Sequence, residues 1–441
     1  MLVPAGVSKA SGLQQVLATL GLSPHDVLAV GDAESDLSLF DVCGFSACPG
    51  DSIGAVRERV DWVVPGVHGD DVASAIAELV LEPRVPLQRL SRHRISLGWV
   101  AATGEPVSIP ARAVNVLVHG DSHSGKSWLA GALVERLVGK RYAVCVIDPE
   151  GDYRVLARLP AMSVADIQAP GEVDEALAPL QSDPTRSVIL DLSSAPHEIK
   201  ASLVDRALRA IRGLRQRVAR PHWVVLDEAH YALGRGALDP DAPGLDDRGF
   251  CLVTYRPSQL GERVVRAMDV FILGRTTSPP ELEFLRTALP SVSSTAGPVA
   301  NALERLPRGE FILAQRGPDG RAGVCTFVAA PRQTLHVRHR AKYVDSLVPP
   351  GQEFLFRRPD GQVGGVADSL QSFCRVVAIA PDDVLAHHAR HGDFSRWVND
   401  VFGDAELARQ LRKAEARWRR GELSELRRVV DALVIARYGD A

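Results

Sequence analysis

At 441 residues the chain is too long for one ordinary hydrophobic core, and its 46% hydrophobic and 24% charged residues are the proportions of a soluble globular protein. Apolar runs such as Trp223 to Leu226 fall far short of the roughly 20 residues that span a bilayer, and Met1 to Gly6 carries no basic segment leading into an apolar one, so a cytoplasmic protein without membrane contact is expected. A net charge of −3 excludes a global pull toward nucleic acid, and six scattered cysteines without a CxxC pair predict reduced core thiols.

The pattern divides the chain into three expected domains, residues 1–83, 84–335 and 336–441. The first alternates a helix around Gly12 to Leu20, a strand at Val27 to Val30, a loop at Gly31-Asp32 and a helix at Asp36 to Phe40, in α/β style. Glu82 to Pro86 reads as a linker, and Ile95 to Pro110 as short strands feeding the next domain. From Val114 to about Ala330 strand-like runs alternate with amphipathic helical stretches, which predicts a mostly parallel sheet with helices on its faces. Its expected strands are Val114 to Val118, Ala143 to Ile147, Ser187 to Leu192, Trp223 to Leu226, Phe250 to Thr254 and Val270 to Leu273. Beyond Pro331 a third, mostly helical unit runs through Arg-rich stretches to Val434.

Gly120-Asp121-Ser122-His123-Ser124-Gly125-Lys126-Ser127 fits GxxxxGK[ST], follows a strand and opens the helix beginning at Trp128. Glycines let the loop N–H groups turn inward around phosphates, and the helix N-terminus adds a favourable dipole. Gly120 through Trp128 are therefore the expected ATP-binding positions, with Lys126 reaching the β- and γ-phosphates and Ser127 holding Mg2+. Trp223 to Leu226 is an apolar strand ending in two carboxylates: Asp227 is expected to bind the Mg2+ through water, and Glu228 to act as general base.

The segments Val146 to Tyr153, Leu226-Asp227-Glu228-Ala229-His230 and Thr254-Tyr255-Arg256-Pro257-Ser258 resemble the ordered motifs of the HerA/FtsK-like ATPases, over roughly Ile95 to Ala330. The resemblance implies a RecA-like P-loop NTPase domain and a homo-hexameric ring, with Arg275 as the arginine given across the interface; pairing of Arg275 with Glu281 or Glu283 is the alternative. In that family the second residue of the Thr-x-Arg-Pro strand is usually a glutamine that senses the γ-phosphate, and here it is Tyr255. His230 and His123 are read either as nucleotide contacts or as ordinary hydrogen-bonded histidines.

Lys9 and the run Val30-Gly31-Asp32-Ala33-Glu34-Ser35-Asp36-Leu37 resemble the C-terminal half of haloacid dehalogenase-like (HAD-like) phosphatases of the Cof or sucrose-phosphatase type, an incomplete Rossmannoid fragment. The resemblance implies that Lys9 neutralises phosphate and that Asp32 and Asp36 bind or orient magnesium; acids in a solvated loop are the alternative. Ser35 stands where that family usually has asparagine. Its nucleophile belongs to a DxD strand upstream of everything here, so phosphatase activity is expected to be absent. Either a longer parent encodes that strand upstream, or the half-domain is a vestige docked on the ATPase.

In the third unit, His336, His339, Lys342 and Tyr343 form one polar cluster and His387, His388 and His391 another. His387 and His391 can share a helical face with zinc-like spacing or make helix-end hydrogen bonds. His391 to Trp397 resembles a helical domain of unknown function. The arginines from Arg409 to Arg428 alternate with glutamates, as on a solvated face or on one that meets nucleic acid. The expected function is Mg-dependent ATP hydrolysis by a motor or switch. The rivals are a phosphomonoester phosphatase regulated by the ATPase domain and a nucleotide-gated interaction module.

Overall fold

The computed structural model describes residues 7–66, 69–81, 93–121, 124–234, 244–289, 296–316, 322–334, 348, 351–402 and 404–438. Ser122, His123, the expected linker and the cluster from His336 to Tyr343 lie outside these residues. The chain forms two compact units, residues up to 337 and residues from 338 onward.

The first unit holds two sheets. The small one orders β1 (Leu28–Val30), β2 (Phe45–Pro49) and β3 (Trp62–Val64) in parallel, with β1 at one edge. The large one is built from β4 (Arg94–Val100), β5 (Pro106–Pro110), β6 (Val116–His119), β7 (Val144–Asp148), β8 (Met162–Asp166), β9 (Ser187–Asp191), β10 (Trp223–Leu226), β11 (Phe250–Thr254), β12 (Val270–Leu273), β13 (Glu310–Arg316) and β14 (Ala322–Ala329). Its order is β5-β4-β14-β13-β12-β6-β11-β10-β7-β9-β8. From β12 to β8 every pairing is parallel, and from β12 to β5 every pairing is antiparallel.

The inner parallel strands read as unbroken apolar runs because both their faces are covered. Leu117, Cys145, Ile147 and Leu252 face one core, while Val116, Val118, Val144, Val146, Cys251 and Val253 face the other. Helix His197–Val218 covers the first side with Leu203, Ala207 and Ile211, and helix Lys126–Gly139 covers the second with Leu129, Leu133 and Leu137, each series spaced by four. Ile95 to Pro110, expected to feed the domain, is instead the outer antiparallel edge of its sheet, through Phe327↔Val100. β8, β13 and β14 were not among the expected strands; polar residues such as Asp166, Gln315 and Thr326 interrupt their apolar runs.

After β14 the chain returns to the helix Lys126–Gly139. Buried Glu135 accepts from Arg332 Nε (3.1 Å), Gln333 N (2.7 Å) and Thr334 N (3.0 Å), and Arg136 donates to Ala330 O (3.1 Å). The domain exit is thereby fastened to the helix that follows the glycine-rich loop after β6.

The small sheet is bonded to the N-terminal ends of β7 and β10. His25 stacks on Tyr142 at 3.8 Å and donates from Nε2 to Lys140 O (2.8 Å), while the His222 ring stands edge-on to both. His222 Nδ1 accepts from Ala143 N (2.8 Å), and its Nε2 lies 3.4 Å from Asp26. Buried Arg220 donates to Gly21 O (2.9 Å), and buried His93 meets buried Asp61 at 3.1 Å.

The second unit packs hairpin β15 (Phe354–Arg357) and β16 (Val363–Ala367) against helices Leu370–Ile379, Asp382–His391, Asp393–Trp397, Ala405–Arg419 and Leu426–Tyr438. His388 is buried among Phe354, Phe356 and Phe394. Its Nε2 accepts from Arg357 N (2.8 Å), so its Nδ1–H donates to Asp393 (2.7 Å). His391 Nδ1 donates to His387 O one turn back (2.8 Å), a bond within the helix.

Burial and the facing His222 push His25 from 6.5 down to about 4, and burial likewise lowers His222. The unfolded chain takes up these protons near pH 6.5, so the stability they carry is full above that value and is lost as pH falls from 6.5 toward 4. The thermal midpoint is expected to drop across this window, and less steeply in His25→Phe, which keeps the stack on Tyr142; circular dichroism melts at a series of pH values measure both.

Candidate functional site

β6 ends at His119, and the chain turns through a loop into helix Lys126–Gly139. A Cβ on Gly120 would stand 2.4 Å from Ser124 Oγ, so only glycine lets the loop fold onto itself, and Gly125 sits at φ +99, where a side chain is strained. Gly125 caps the helix without a side-chain hydrogen bond, which leaves the first helical N–H groups to an anion. Ser124 Oγ is buried and makes no hydrogen bond. Lys126 Nζ, also buried, lies 3.5 Å from Asp121 O, at the limit of a hydrogen bond, and 5.7 Å from the centre of the Tyr255 ring.

Asp121 faces away from this cradle. Its N–H donates to Arg275 O (2.8 Å), and its carboxylate accepts from Thr277 N and Oγ1 (both 2.7 Å), fastening the loop to the exit of β12. Ser127 and Trp128 are half-buried on the first helical turn, with Trp128 packed against the core on that face. His119 ties three strand exits together. Its Nδ1–H donates to Thr254 O (3.1 Å), so its Nε2 accepts from Thr276 Oγ1 (3.1 Å); burial pushes this imidazole down to about 3 and keeps it neutral.

Two strands along from β6, with β11 between, β10 ends in Asp227. At about 4.8 Å per strand the separation is roughly 10 Å. Register then sets a row of aspartates on neighbouring strand ends. Leu226 pairs with Ile147, Asp148 with Asp191, and Asp191 with Asp166. Arg154 bridges Asp166 (2.5 Å) and Asp191 (2.8 Å). Asp148 accepts from the N–H groups of Glu150 (3.2 Å), Gly151 (2.8 Å) and Tyr153 (2.8 Å), yet burial, then Asp152 and Asp191, push it up to about 7. Tyr153 is buried with its hydroxyl making no hydrogen bond; burial and the charges of Asp227, Asp148 and Asp152 hold it well above its ordinary value. Asp227, fully buried, closes the row on the phosphate-loop side.

Glu228, 2% exposed, adopts φ +46, a region costly for a non-glycine residue and often found at functional sites. Its Oε2 lies 3.6 Å from His230 Nδ1, which lies 3.0 Å from Thr254 Oγ1; the same hydroxyl accepts from Arg256 N (3.0 Å). Tyr255 stands edge-on to His230 at 4.8 Å, with Arg256 5.0 Å from its centre. One aromatic ring thus touches the lysine of the loop and the histidine beside Glu228. Arg275 is exposed and forms no ion pair among the described residues. Glu281 binds Ser258 N (2.9 Å) and Oγ (2.6 Å), and Glu283 pairs with Arg286 (2.9 Å), so neither is its partner.

In the small sheet, Asp36 gives one oxygen to Lys9 (2.6 Å) and the other to Asp32 N and Ala33 N (both 3.2 Å). Hydrogen bonds to Lys9 and the loop amides hold its carboxyl below the usual range against the cost of burial. Asp32 is exposed. Among the described residues no group of three or more His, Cys, Asp or Glu is arranged to hold a metal ion.

Residues 1–76 match the haloacid dehalogenase-like hydrolase family, and residues 95–168 match the central domain of the helicase HerA. The chain joins a HAD-like segment to a HerA-like one. Curated relatives of the first include phosphoglycolate phosphatases of Halorubrum lacusprofundi (42% identical over 74 residues, 17% of this chain and 33% of that protein) and Methanothermobacter thermautotrophicus (35% over 75 residues, 17% and 34%). The chain therefore spans about a third of the length of these relatives. Among solved structures, the genome packaging NTPase B204 from Sulfolobus turreted icosahedral virus 2 in complex with AMPPCP is similar at 15% identity over 48% of this chain and 96% of that one, with a TM-score of 0.35, a likeness too slight to carry weight.

The HerA-like match covers the loop and Asp148 but stops short of Asp227, so the pairing of loop and carboxylates rests on the sheet geometry. Sequence reasoning assigned no role to His119, Asp148 or Tyr153. A polar residue closing each apolar run was the available signal, but their mutual contacts depend on strand order. Tyr255→Phe keeps the ring beside Lys126 and His230 and is expected to leave nucleotide affinity within about twofold, whereas Tyr255→Ala is expected to weaken it roughly fivefold; titration with a fluorescent ATP analogue measures the difference.

Proposed function

We propose that the HerA-like domain binds ATP with Mg2+ and hydrolyses it, as a motor or a switch. The observation that carries this reading is the glycine-closed loop, uncapped helix and buried lysine set at the same sheet end as Asp227 and Glu228. Mg2+ keeps most of its shell as water and phosphate oxygen, and Ser127 and Asp227 are the hydroxyl and the carboxylate that would hold it. Bound there, the ion would neutralise phosphate charge.

The chain's own groups do the rest. The helix N–H groups and Ser124 Oγ hold phosphate oxygens, and Lys126 moves from Asp121 O onto them. Glu228, fixed by its backbone conformation beside His230, orients the attacking water and takes its proton. The proposed assembly is a hexameric ring in which Arg275, free of ion pairs among the described residues, serves a neighbour's nucleotide. The HAD-like segment is proposed to be a docked structural element, because both Asp36 oxygens are engaged and its far side is bonded to the base of the large sheet.

Magnesium-dependent ATP hydrolysis is expected in the purified chain and is expected to fall at least a hundredfold in Lys126→Ala and Glu228→Gln, as a phosphate-release assay would show. Stimulation by double-stranded DNA marks a motor, and tight binding without turnover marks a switch; no nucleotide binding would overturn the reading. If Arg275 acts across an interface, mixing inactive Arg275→Ala with inactive Lys126→Ala chains is expected to restore turnover, because some interfaces then pair an intact loop with an intact arginine. A mixture that stays inactive assigns Arg275 to the nucleotide of its own chain.

A further inference from the structure

In the second unit, helix Ala405–Arg419 places Arg412, Glu415 and Arg419 three and four residues apart, on one face. Together they line an open cavity of about 290 Å³, whose other walls are His391, Gly392, Ser395, Arg396 and, from the π-helical turn Val398–Phe402, Asn399 and Asp400. π turns interrupt the regular ladder and recur at functional sites. The volume lies at the lower end of the range for small-molecule sites.

Glu415 is the feature that ordinary packing does not explain. It is 0% exposed, its Oε1 accepts from Ser395 N (3.2 Å), and its Oε2 makes no hydrogen bond. Leaving a buried carboxyl oxygen without a partner is unfavourable. Gly392, at φ +68, puts no side chain over Oε2, and a Cβ built there would stand 3.7 Å away, at ordinary contact distance. Burial raises the carboxyl above its usual value against the pull of Ser395, Phe394 and Arg419.

The charges around Oε2 exclude a cation. Arg396 is neutralised by Asp393 (2.5 Å), and Asp400 is exposed and accepts from Asn399 (2.9 Å). Arg412 forms no ion pair among the described residues, and Arg419 makes one long bond, to Arg390 O (3.4 Å). Two exposed guanidinium groups flanking a buried hydrogen-bonding oxygen match an oxyanion and a hydroxyl on one small molecule, since guanidinium pairs best with phosphate or carboxylate and two such groups suit the higher charge of phosphate.

We propose that this cavity binds a small phosphorylated, hydroxyl-bearing metabolite, with the phosphoryl group on Arg412 and Arg419 and a hydroxyl on Glu415 Oε2. The test is isothermal titration of the full chain with ribose 5-phosphate, with ribose and inorganic phosphate as separate arms. The Lys126→Ala chain is titrated in parallel, so that binding at the nucleotide loop is recognised. One saturable site is expected for ribose 5-phosphate, unchanged by Lys126→Ala. Affinity is expected to fall at least tenfold in the Arg412→Ala/Arg419→Ala double variant and in Glu415→Gln, and each half-ligand is expected to bind at least tenfold more weakly than the whole. The arginines are exposed, so the double variant remains informative even if Glu415→Gln disturbs folding. Absence of saturable binding at millimolar probe, binding indifferent to the double variant, or inorganic phosphate binding as tightly as the sugar phosphate would each overturn the proposal.

Discussion

Parallel alignment of buried strands places like charges side by side, and the first unit is organised around that constraint. β10, β7, β9 and β8 stop at one level, and each is followed or ended by an aspartate, at about the 4.8 Å spacing of strands. Asp148, Asp191 and Asp227 are buried there, and such carboxylates cannot all remain charged and unscreened in a dry interior. Asp166 and Asp191 share Arg154, while Asp148 takes three backbone N–H groups and a proton affinity near neutrality. Asp227 stands at the end of the row next to the phosphate loop, where the proposed magnesium would supply compensating charge. Carboxylate row and loop occupy the carboxyl ends of the strands, the edge of an open α/β sheet where ligands bind.

The two ends of the same sheet have different work. At the carboxyl end Lys126 lies near the Tyr255 ring, which stands edge-on to His230 beside Glu228. At the amino end His25, Tyr142, His222 and Arg220 close tightly and carry the HAD-like segment. Strands of five residues separate these ends by roughly 16 Å. A close-packed sheet lies between them, and helix Lys126–Gly139 joins the loop end of the domain to its exit through Glu135, Arg332 and Gln333.

Much of this was legible in the chain. The loop spelling, the apolar run ending in Asp227-Glu228 and the alternation of strands and helices are local signals, and the parallel strands are easy to read because burial on both faces demands unbroken apolar residues. The antiparallel extension was harder. Glu310–Arg316 and Ala322–Ala329 are strands because they complete a sheet whose edge begins 200 residues earlier, at Arg94. Asp121 read as a nucleotide contact by its place in the motif, yet its carboxylate binds Thr277, on a segment distant in sequence. Asp32 and Asp36 read as magnesium ligands by resemblance, yet Lys9 and two amides take up Asp36.

By itself the sequence determined the class of the central domain, its glycine-rich loop before a helix and the placing of Asp227-Glu228 at a strand end, because glycine geometry, helix start and strand burial are properties of short segments. Only the tertiary structure decided which carboxylates line up, that Tyr255 lies between Lys126 and His230, that Arg275 lacks the acidic partners written near it, and that Glu415 keeps an oxygen turned into a cavity. Those facts depend on strand order, register and the meeting of distant helices, which fix distances that no local pattern encodes.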